Sequence, residues 1–188
     1  MDQKPVKNSE LASEESVRQW CNYSGLLDRL DTIGAVVLGP DESLVAGTSS
    51  GGILLKREGR VGHCCTYGAG CWAEPGVGVV TSGTGEQLAK TQLAQQVATE
   101  VLRQVQINEV MSDKFLYSRF LQHCAPSERL AGLVGLQLTD DCLHLFHAHT
   151  TKSLALAYHT SNNNRSLPII SRRSPSAPFS YASIFLHF

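Results

Sequence analysis

Two short apolar runs, TIGAVVLG (residues 32–39) and SLVAGTS (residues 43–49), are separated by the residues PDE. Both runs are rich in β-branched residues, and Pro-Asp between two such runs is typical of a turn. The pattern therefore predicts a β-hairpin. The first strand starts unusually, because Asp31 and Thr32 stand directly before its apolar residues without a turn or helix cap.

A helical pattern begins at Glu86. Apolar residues then recur near every fourth position, with Gln, Lys and Glu between them: Leu88, Leu93, Val97, Val101 and Val105. This spacing predicts an amphipathic helix. Two shorter helices are predicted over residues 13–25, between the N-cap Ser13 and Gly25, and over residues 108–121.

Residues 131–160 again have the pattern of strands, and Asp140-Asp141 is the first turn among two or three of them. After Thr160 the sequence becomes polar, basic and proline-containing, which favours an irregular tail. We therefore predict a polar leader (residues 1–31), one folded domain (residues 32–160) and a divergent, disordered tail (residues 161–188).

Composition and charge exclude some classes of protein. The hydrophobic share of 42% is that of a globular protein, and the formal net charge of −1 gives no basis for binding nucleic acid or an anionic membrane. We find no apolar run of membrane-spanning length and no secretory signal pattern at the start. Six cysteines in such a chain favour reduced thiols, so a nuclear or cytoplasmic location is expected.

Glycines are dense between Ser49 and Gly85, in the stretches SSGG, GRVG, YGAGCW and SGTGE. Glycine loses much backbone entropy on folding, so this density indicates special dihedral angles or close backbone approach. Such a composition suits a site that is built from loops and strand ends.

Thr32 is the candidate nucleophile. A threonine hydroxyl needs a base, and an N-terminal threonine can use its own α-amine, which titrates near ~7.7–8. Cleavage of the Asp31–Thr32 bond, by attack of the Thr32 hydroxyl on the preceding carbonyl, would create that amine.

The glycine-rich stretches and the DTIGAVV stretch together resemble the β-subunit of the type 2 asparaginases, which are N-terminal-nucleophile hydrolases. Within this family the stretch YGAGCWAE also resembles the threonine aspartase branch, and the likeness is densest from Asp31 to Gln95. It implies an α+β fold, namely the β-subunit half of an αββα sandwich with antiparallel sheets covered by helices. It implies no cofactor and no catalytic metal.

The resemblance also assigns roles to residues. Thr32 is the nucleophile, and Ser50, before Gly51, is the hydroxyl that hydrogen-bonds it. Arg60 stands where the family holds the substrate carboxylate, which a guanidinium matches in bidentate fashion. Ser82 and Gly83 stand where the family forms its oxyanion hole.

Two residues favour the aspartase branch. Asparaginases acting on free amino acids place an acid at the position of His63 to hold the substrate ammonium, and a neutral imidazole holds it poorly. Asp31 is the second, because asparaginases usually cleave themselves after glycine. We therefore interpret the chain as an endopeptidase that cuts after Asp in protein substrates, which the resemblance implies are nuclear transcription and chromatin regulators.

Two alternatives remain open: an asparaginase-type amide hydrolase, and a catalytically inactive fragment of such an enzyme. Only 31 residues precede Thr32, whereas the family carries a whole α-subunit there and assembles αβ units into homodimers. We therefore expect the missing α-half to be a partner, and residues 1–31 to retain only its end.

Metal binding is a weaker hypothesis. Cys64, Cys65 and Cys71 lack the CxxC pairs of zinc sites. On a strand, His147 and His149 share one face while His144 lies on the other. Neither set predicts a metal centre.

Overall fold

The computed structural model describes residues 32–53, 56–103, 109, 120, 124–125, 129–140 and 142–186. These residues contain the strands β1 (Ile33–Leu38), β2 (Leu44–Ser49), β3 (Cys71–Glu74), β4 (Val77–Gly83), β5 (Ala131–Leu138), β6 (Leu143–His149), β7 (Ser153–Tyr158), β8 (Leu167–Arg172) and β9 (Ser180–Leu186). The helices are α1 (Gly85–Thr91) and α2 (Leu93–Arg103), and a 3₁₀ turn covers His63–Cys65. The predicted helix over residues 13–25, and all but single residues of the one over 108–121, lie outside the described residues.

An antiparallel five-stranded sheet in the order β3-β4-β5-β6-β9 forms the centre of the fold. Val77, Val79 and Val80 of β4 are at most 5% exposed. Burial of consecutive residues means that both faces of β4 are covered, as a central strand requires. The glycine-rich composition favoured loops and strand ends here, and the structure places the strands β3 and β4 in the same region.

Helices α1 and α2 cover one face of this sheet. Leu88, Leu93, Val97 and Val101 are fully buried there against Val79 and its neighbours, so the predicted helical face is confirmed up to Val101, while Val105 lies outside the described residues. The single helix of the prediction is divided, because Gln92 adopts a left-handed conformation (φ 47°) and its N–H caps α1.

The opposite face of the sheet carries two hairpins, β1–β2 and β7–β8. Val36 of β1 and Leu156 of β7 pack with Leu136 and Leu145 of the sheet in a second apolar cluster. The predicted hairpin at residues 32–49 and the three strands within residues 131–160 are confirmed.

Two glycines allow the first hairpin to approach the sheet closely. A Cβ added at Gly34 would lie 2.9 Å from Cβ of Val80, and one at Gly78 would lie 2.6 Å from Cγ1 of Val36. Real Cβ atoms are not found at such distances. In each of the two contacts, a valine of one strand packs directly on a glycine of the other strand. These contacts set the height of β1 above the sheet.

The outer face of the β1–β2 hairpin remains exposed. Ile33, Val37 and Val45 are 74%, 58% and 62% exposed, and Val37 is paired with Val45.

The described residues form three layers: the two helices, the five-stranded sheet and the two strand hairpins. This α+β arrangement of antiparallel strands confirms the predicted fold class and is consistent with half of an N-terminal-nucleophile hydrolase sandwich. Within the described residues, neither helix is long and apolar enough to cross a membrane.

The C-terminal region differs from the irregular tail that its composition favours. Residues 167–172 form β8, which pairs with β7, and residues 180–186 form β9, which pairs with β6. Among the described strands β8 pairs only with β7, so it tolerates Pro168 as an edge strand does. Ile184 and Leu186 reach the second apolar cluster. The domain boundaries proposed from the sequence remain predictions.

Replacing Gly34 by alanine should destabilise the fold by about 1–3 kcal/mol, because the added methyl group overpacks the contact with Val80. Urea unfolding measures the change. Gly47→Ala in the same hairpin is the matched control: nothing lies within 4 Å of its added Cβ, so it should be neutral or slightly stabilising. Equal effects of the two substitutions would contradict the close contact.

Candidate active site

Thr32 lies directly before β1, at the open end of the first hairpin. The register pairs Ile33 with Ser49, so Thr32 stands opposite Ser50 in the continuation of the two strands. The hairpin thus places the candidate nucleophile beside the hydroxyl that the sequence analysis assigned to it. Asp31, the predicted cleavage residue, lies outside the described residues.

Ser50 belongs to a tight turn with Gly51 and Gly52. The backbone N–H of Gly52 donates a hydrogen bond of 3.0 Å to Oγ of Ser50, and Gly52 has a positive φ of 76°, which favours glycine. Lys56 Nζ donates to the carbonyl oxygen of Gly51 at 3.0 Å. The turn therefore holds the Ser50 hydroxyl, and a lysine fixes the turn.

Arg60 forms an ion pair with Glu86. Nε and Nη2 of Arg60 both lie 2.8 Å from Oε1 of Glu86, and the Arg60 side chain is 14% exposed. The hydrogen bond from Arg60 is the largest effect that lowers the pKa of Glu86, so Glu86 is ionised at neutral pH. Arg60 is thus well placed for a carboxylate, but one carboxylate of its own chain already contacts it.

His63 is buried, at 5% exposure, next to this ion pair. Its Nε2 lies 3.3 Å from the carbonyl oxygen of Thr81, which can only accept, so this contact favours the tautomer that is protonated on Nε2 and leaves Nδ1 as an acceptor. Burial is the main cause that lowers the pKa of His63, the Arg60 charge adds to it, and the bond to Thr81 opposes both. The imidazole is therefore neutral near pH 7 and offers a lone pair without negative charge.

Ser82 and Gly83 form the last two residues of β4. Gly83 has φ 148°, and a Cβ at this position would collide with the carbonyl oxygen of Leu130. Only glycine fits here. The chain then enters α1, whose first residue, Gly85, lies against Arg60 and His63: an added Cβ would be 3.0 Å from Nη2 of Arg60 and 3.2 Å from Nδ1 of His63.

A cavity of about 970 Å³ lies between the two hairpins, above the five-stranded sheet. Thr32 and Ser82 line it together with Thr81, and its other walls are mainly Leu, Val and Ala of β1, β5, β6 and β7. The cavity therefore brings the candidate nucleophile and the candidate oxyanion residue to the same space. Such a concave, mainly apolar space with a few polar groups is typical of a ligand site.

Arg60, His63 and the Ser50–Gly52 turn do not line this cavity, but they form a connected polar region from residues far apart in sequence. The turn at Ser50–Gly52 lies against Arg60, Arg60 and His63 lie against Gly85, and His63 is bonded to the strand that ends in Ser82 and Gly83. Glu86 and Lys56 also belong to this region, and the sequence analysis did not include them. Glu86 had one available signal, since an acid in the first turn of a helix stabilises the helix dipole.

The cysteines and histidines considered for metal binding occupy separate places. Cys64 Sγ lies 3.5 Å from Nε2 of His63, and no group of three potential metal ligands occurs among the described residues. His147 and His149 share a face of β6, as alternation predicts, but both are buried rather than solvated. Nε2 of His149 lies 2.9 Å from Oγ of Ser171 in β8, which joins the second hairpin to the sheet.

Comparison with known proteins identifies the family. A family profile described as "Asparaginase" matches residues 2–169. The chain belongs to the asparaginase family. The match includes the Thr32 junction and the whole region from Ser50 to Glu86, so the family resemblance of these stretches is confirmed.

Individual members of the asparaginase family match shorter segments. A plant-type L-asparaginase of Pyrobaculum calidifontis is 40% identical over 94 residues, which are 50% of this chain and 31% of that protein. An isoaspartyl peptidase/L-asparaginase of Xenopus laevis is 36% identical over 97 residues, which are 47% of this chain and 31% of that protein. An isoaspartyl peptidase of Escherichia coli is 42% identical over 71 residues, which are 37% of this chain and 22% of that protein. The chain thus spans less than a third of the length of these relatives.

Acid should destabilise the native state partly through His63. In the unfolded chain His63 takes up a proton at the ordinary pKa of 6.5, whereas burial lowers its pKa in the folded protein. The contribution of His63 to the free energy of unfolding is therefore fully present above about pH 6.5 and is lost as the pH falls below that value towards the folded pKa. His63→Gln keeps a donor for Thr81 and removes this effect, which is at most about 1.4 kcal/mol at pH 5.5, one unit below the unfolded pKa.

Urea unfolding at about pH 7.5 and 5.5 measures the difference for wild type and variant. His159→Gln, at an exposed position, is the control and should retain the wild-type pH dependence. If His63→Gln also retains the wild-type pH dependence, the titration of His63 does not contribute to the acid sensitivity of the fold.

Proposed function

We propose that the protein is an amide hydrolase of the N-terminal-nucleophile type that acts on an amide next to a carboxylate. The observation that carries the proposal is the shared cavity: Thr32 at the start of β1 and Ser82 at the end of β4 line one space. Family membership supports this reading, since the relatives described above are named as asparaginases and isoaspartyl peptidases.

The proposed chemistry starts with cleavage of the Asp31–Thr32 bond, which gives Thr32 a free α-amine. The amine accepts the proton of the Thr32 hydroxyl while Oγ1 attacks the carbonyl carbon of the substrate amide. The Ser82 hydroxyl and the Gly83 N–H stabilise the oxyanion. The ammonium then returns the proton to the leaving nitrogen, and water hydrolyses the resulting ester at Thr32.

Ser50 and Arg60 have supporting roles in this proposal. Ser50 stands opposite Thr32 in the hairpin continuation and orients its hydroxyl, and the turn with Gly51 holds Ser50 in place. Arg60 binds the carboxylate that neighbours the scissile amide. Since Glu86 takes the Nε and Nη2 edge of the guanidinium, the remaining Nη1 edge is the one that meets the substrate.

Small amides of aspartate, such as asparagine or an isoaspartyl dipeptide, are the substrates that the relatives support best. His63 suits this class if its unprotonated Nδ1 accepts a hydrogen bond from the substrate ammonium. The bond is weaker than one to a carboxylate, because hydrogen bonds to a charged acceptor are about twice as strong.

An endopeptidase that cuts protein chains after Asp is the second candidate. A buried, uncharged His63 beside Arg60 favours it, because a peptide substrate has no ammonium group at this position. Asp31 before Thr32 favours it too, since one carboxylate pocket would then serve both self-cleavage and substrate cleavage. The expected substrates in nuclear regulators belong to this second candidate.

Self-cleavage tests the nucleophile. On incubation, the purified chain should yield a new species that begins at Thr32, detectable by intact-mass spectrometry. Thr32→Ala should abolish the new species because the hydroxyl is lost, and Thr32→Ser should retain it at a reduced rate. Thr99→Ala, in helix α2, is the control that should process normally. A persistent full-length mass in the wild type would instead support the catalytically inactive fragment.

Substrate choice separates the two candidates. Ammonia release from asparagine identifies the small-amide hydrolase, and cleavage of an Asp-containing peptide without ammonia release identifies the endopeptidase. His63→Asp supplies the missing negative charge for an ammonium group and should lower KM for asparagine by about tenfold, an estimate from the strength of charge-assisted hydrogen bonds. An unchanged or higher KM would show that His63 does not face the substrate ammonium.

A further inference from the structure

The positive charge of Arg60, the residue proposed to bind the substrate carboxylate, is compensated by Glu86 of the same chain. Glu86 is ionised and lies 2.8 Å from Arg60, and His63 is uncharged near neutral pH because burial lowers its pKa. The charges of Arg60, His63 and Glu86 therefore add to zero. An anion approaching these three residues meets directed donors but no excess positive charge.

Lys56 lies beside the same site and supplies that charge. A Cβ added at Gly52 would lie 3.0 Å from Nη1 of Arg60, 3.5 Å from Cδ of Lys56 and 3.9 Å from Cε of Lys56. The side chains of Lys56 and Arg60 therefore converge over Gly52. Nη1 is the edge of Arg60 that Glu86 leaves without a contact in the ion pair.

Glycine at position 52 allows both side chains to come this close to the backbone. Gly52 has a left-handed φ of 76° and its N–H is bonded to Ser50, so any other residue here would be strained and its Cβ would crowd Nη1 of Arg60. Lys56 Nζ is fixed by the carbonyl oxygen of Gly51 at 3.0 Å. An ammonium group has three donors, so this bond leaves donors of Lys56 for a ligand.

We propose that Lys56 is the second cationic ligand of the carboxylate site: the carboxylate binds to Nη1 of Arg60 and Nζ of Lys56, the cationic ends of two side chains that converge over Gly52. Arg60 and Glu86 set the direction of the bound carboxylate, and Lys56 provides the net attraction. The inference rests on the proposed function in so far as it takes the ligand to be the carboxylate next to the scissile amide. It assigns Lys56 to substrate binding and not to the reacting atoms.

Binding of succinate, a simple dicarboxylate, tests the inference without requiring turnover. Isothermal titration of the full chain at low ionic strength should show about tenfold weaker binding for Lys56→Met, a loss typical of one charge-assisted contact. Lys56→Arg restores the charge and should bind within a few-fold of wild type. Lys90→Met, an exposed helix lysine, is the matched control and should leave the affinity unchanged.

The outcomes separate this inference from the proposed function. Weaker succinate binding by Lys56→Met in a chain that hydrolyses no amide supports the Lys56 site and overturns the proposed function. Amide hydrolysis with the same KM and the same succinate affinity in wild type and Lys56→Met overturns the inference alone. Absence of succinate binding by the wild type, together with absence of hydrolysis, overturns both.

Discussion

The burial of β4 on both faces is the constraint on which the other layers depend. One face of this strand presents Val77 and Val79 to the helices, and the other presents Gly78 and Val80 to the first hairpin. Because Gly78 has no side chain, Val36 can enter the space above it, and β1 comes to lie directly over β4. Ser82 and Gly83 continue the same strand. The packing that forms the core therefore also determines which residues Thr32 can meet.

The polar side of the site follows from electrostatics rather than from apolar packing. An arginine at 14% exposure needs a partner, and Glu86 provides it from the first turn of α1. This pair joins the loop that contains Arg60 to the helix that follows the β4 strand end. Its contribution to stability is modest because Glu86 is largely exposed. Its effect on the site is greater, because it leaves one edge of Arg60 directed towards Gly52.

Local periodicity was sufficient to predict the first hairpin, the buried helix face and the strands between residues 131 and 160. The break at Gln92 was not predictable, because its left-handed conformation depends on how two helices fit one sheet. Strand β9 was missed because its partner β6 is distant in the sequence. Strand β8 was missed because the polar, proline-containing composition after Thr160 is typical of an irregular tail, although its partner β7 directly precedes it. The family resemblance indicated Thr32, Ser50, Arg60, His63, Ser82 and Gly83. Glu86 lies 26 residues from Arg60, a separation at which the sequence shows no sign of contact.

The first hairpin is joined to the rest of the molecule mainly by one face, since β1 and β2 pair only with each other among the described strands. Its outer face is exposed to solvent at Ile33 and Val37. Segments with few buried contacts open at a lower free energy than the core does. We therefore expect the hairpin that carries Thr32 and Ser50 to open at a lower free energy than the helix-covered sheet, so that the lifetime of the assembled site depends on the hairpin.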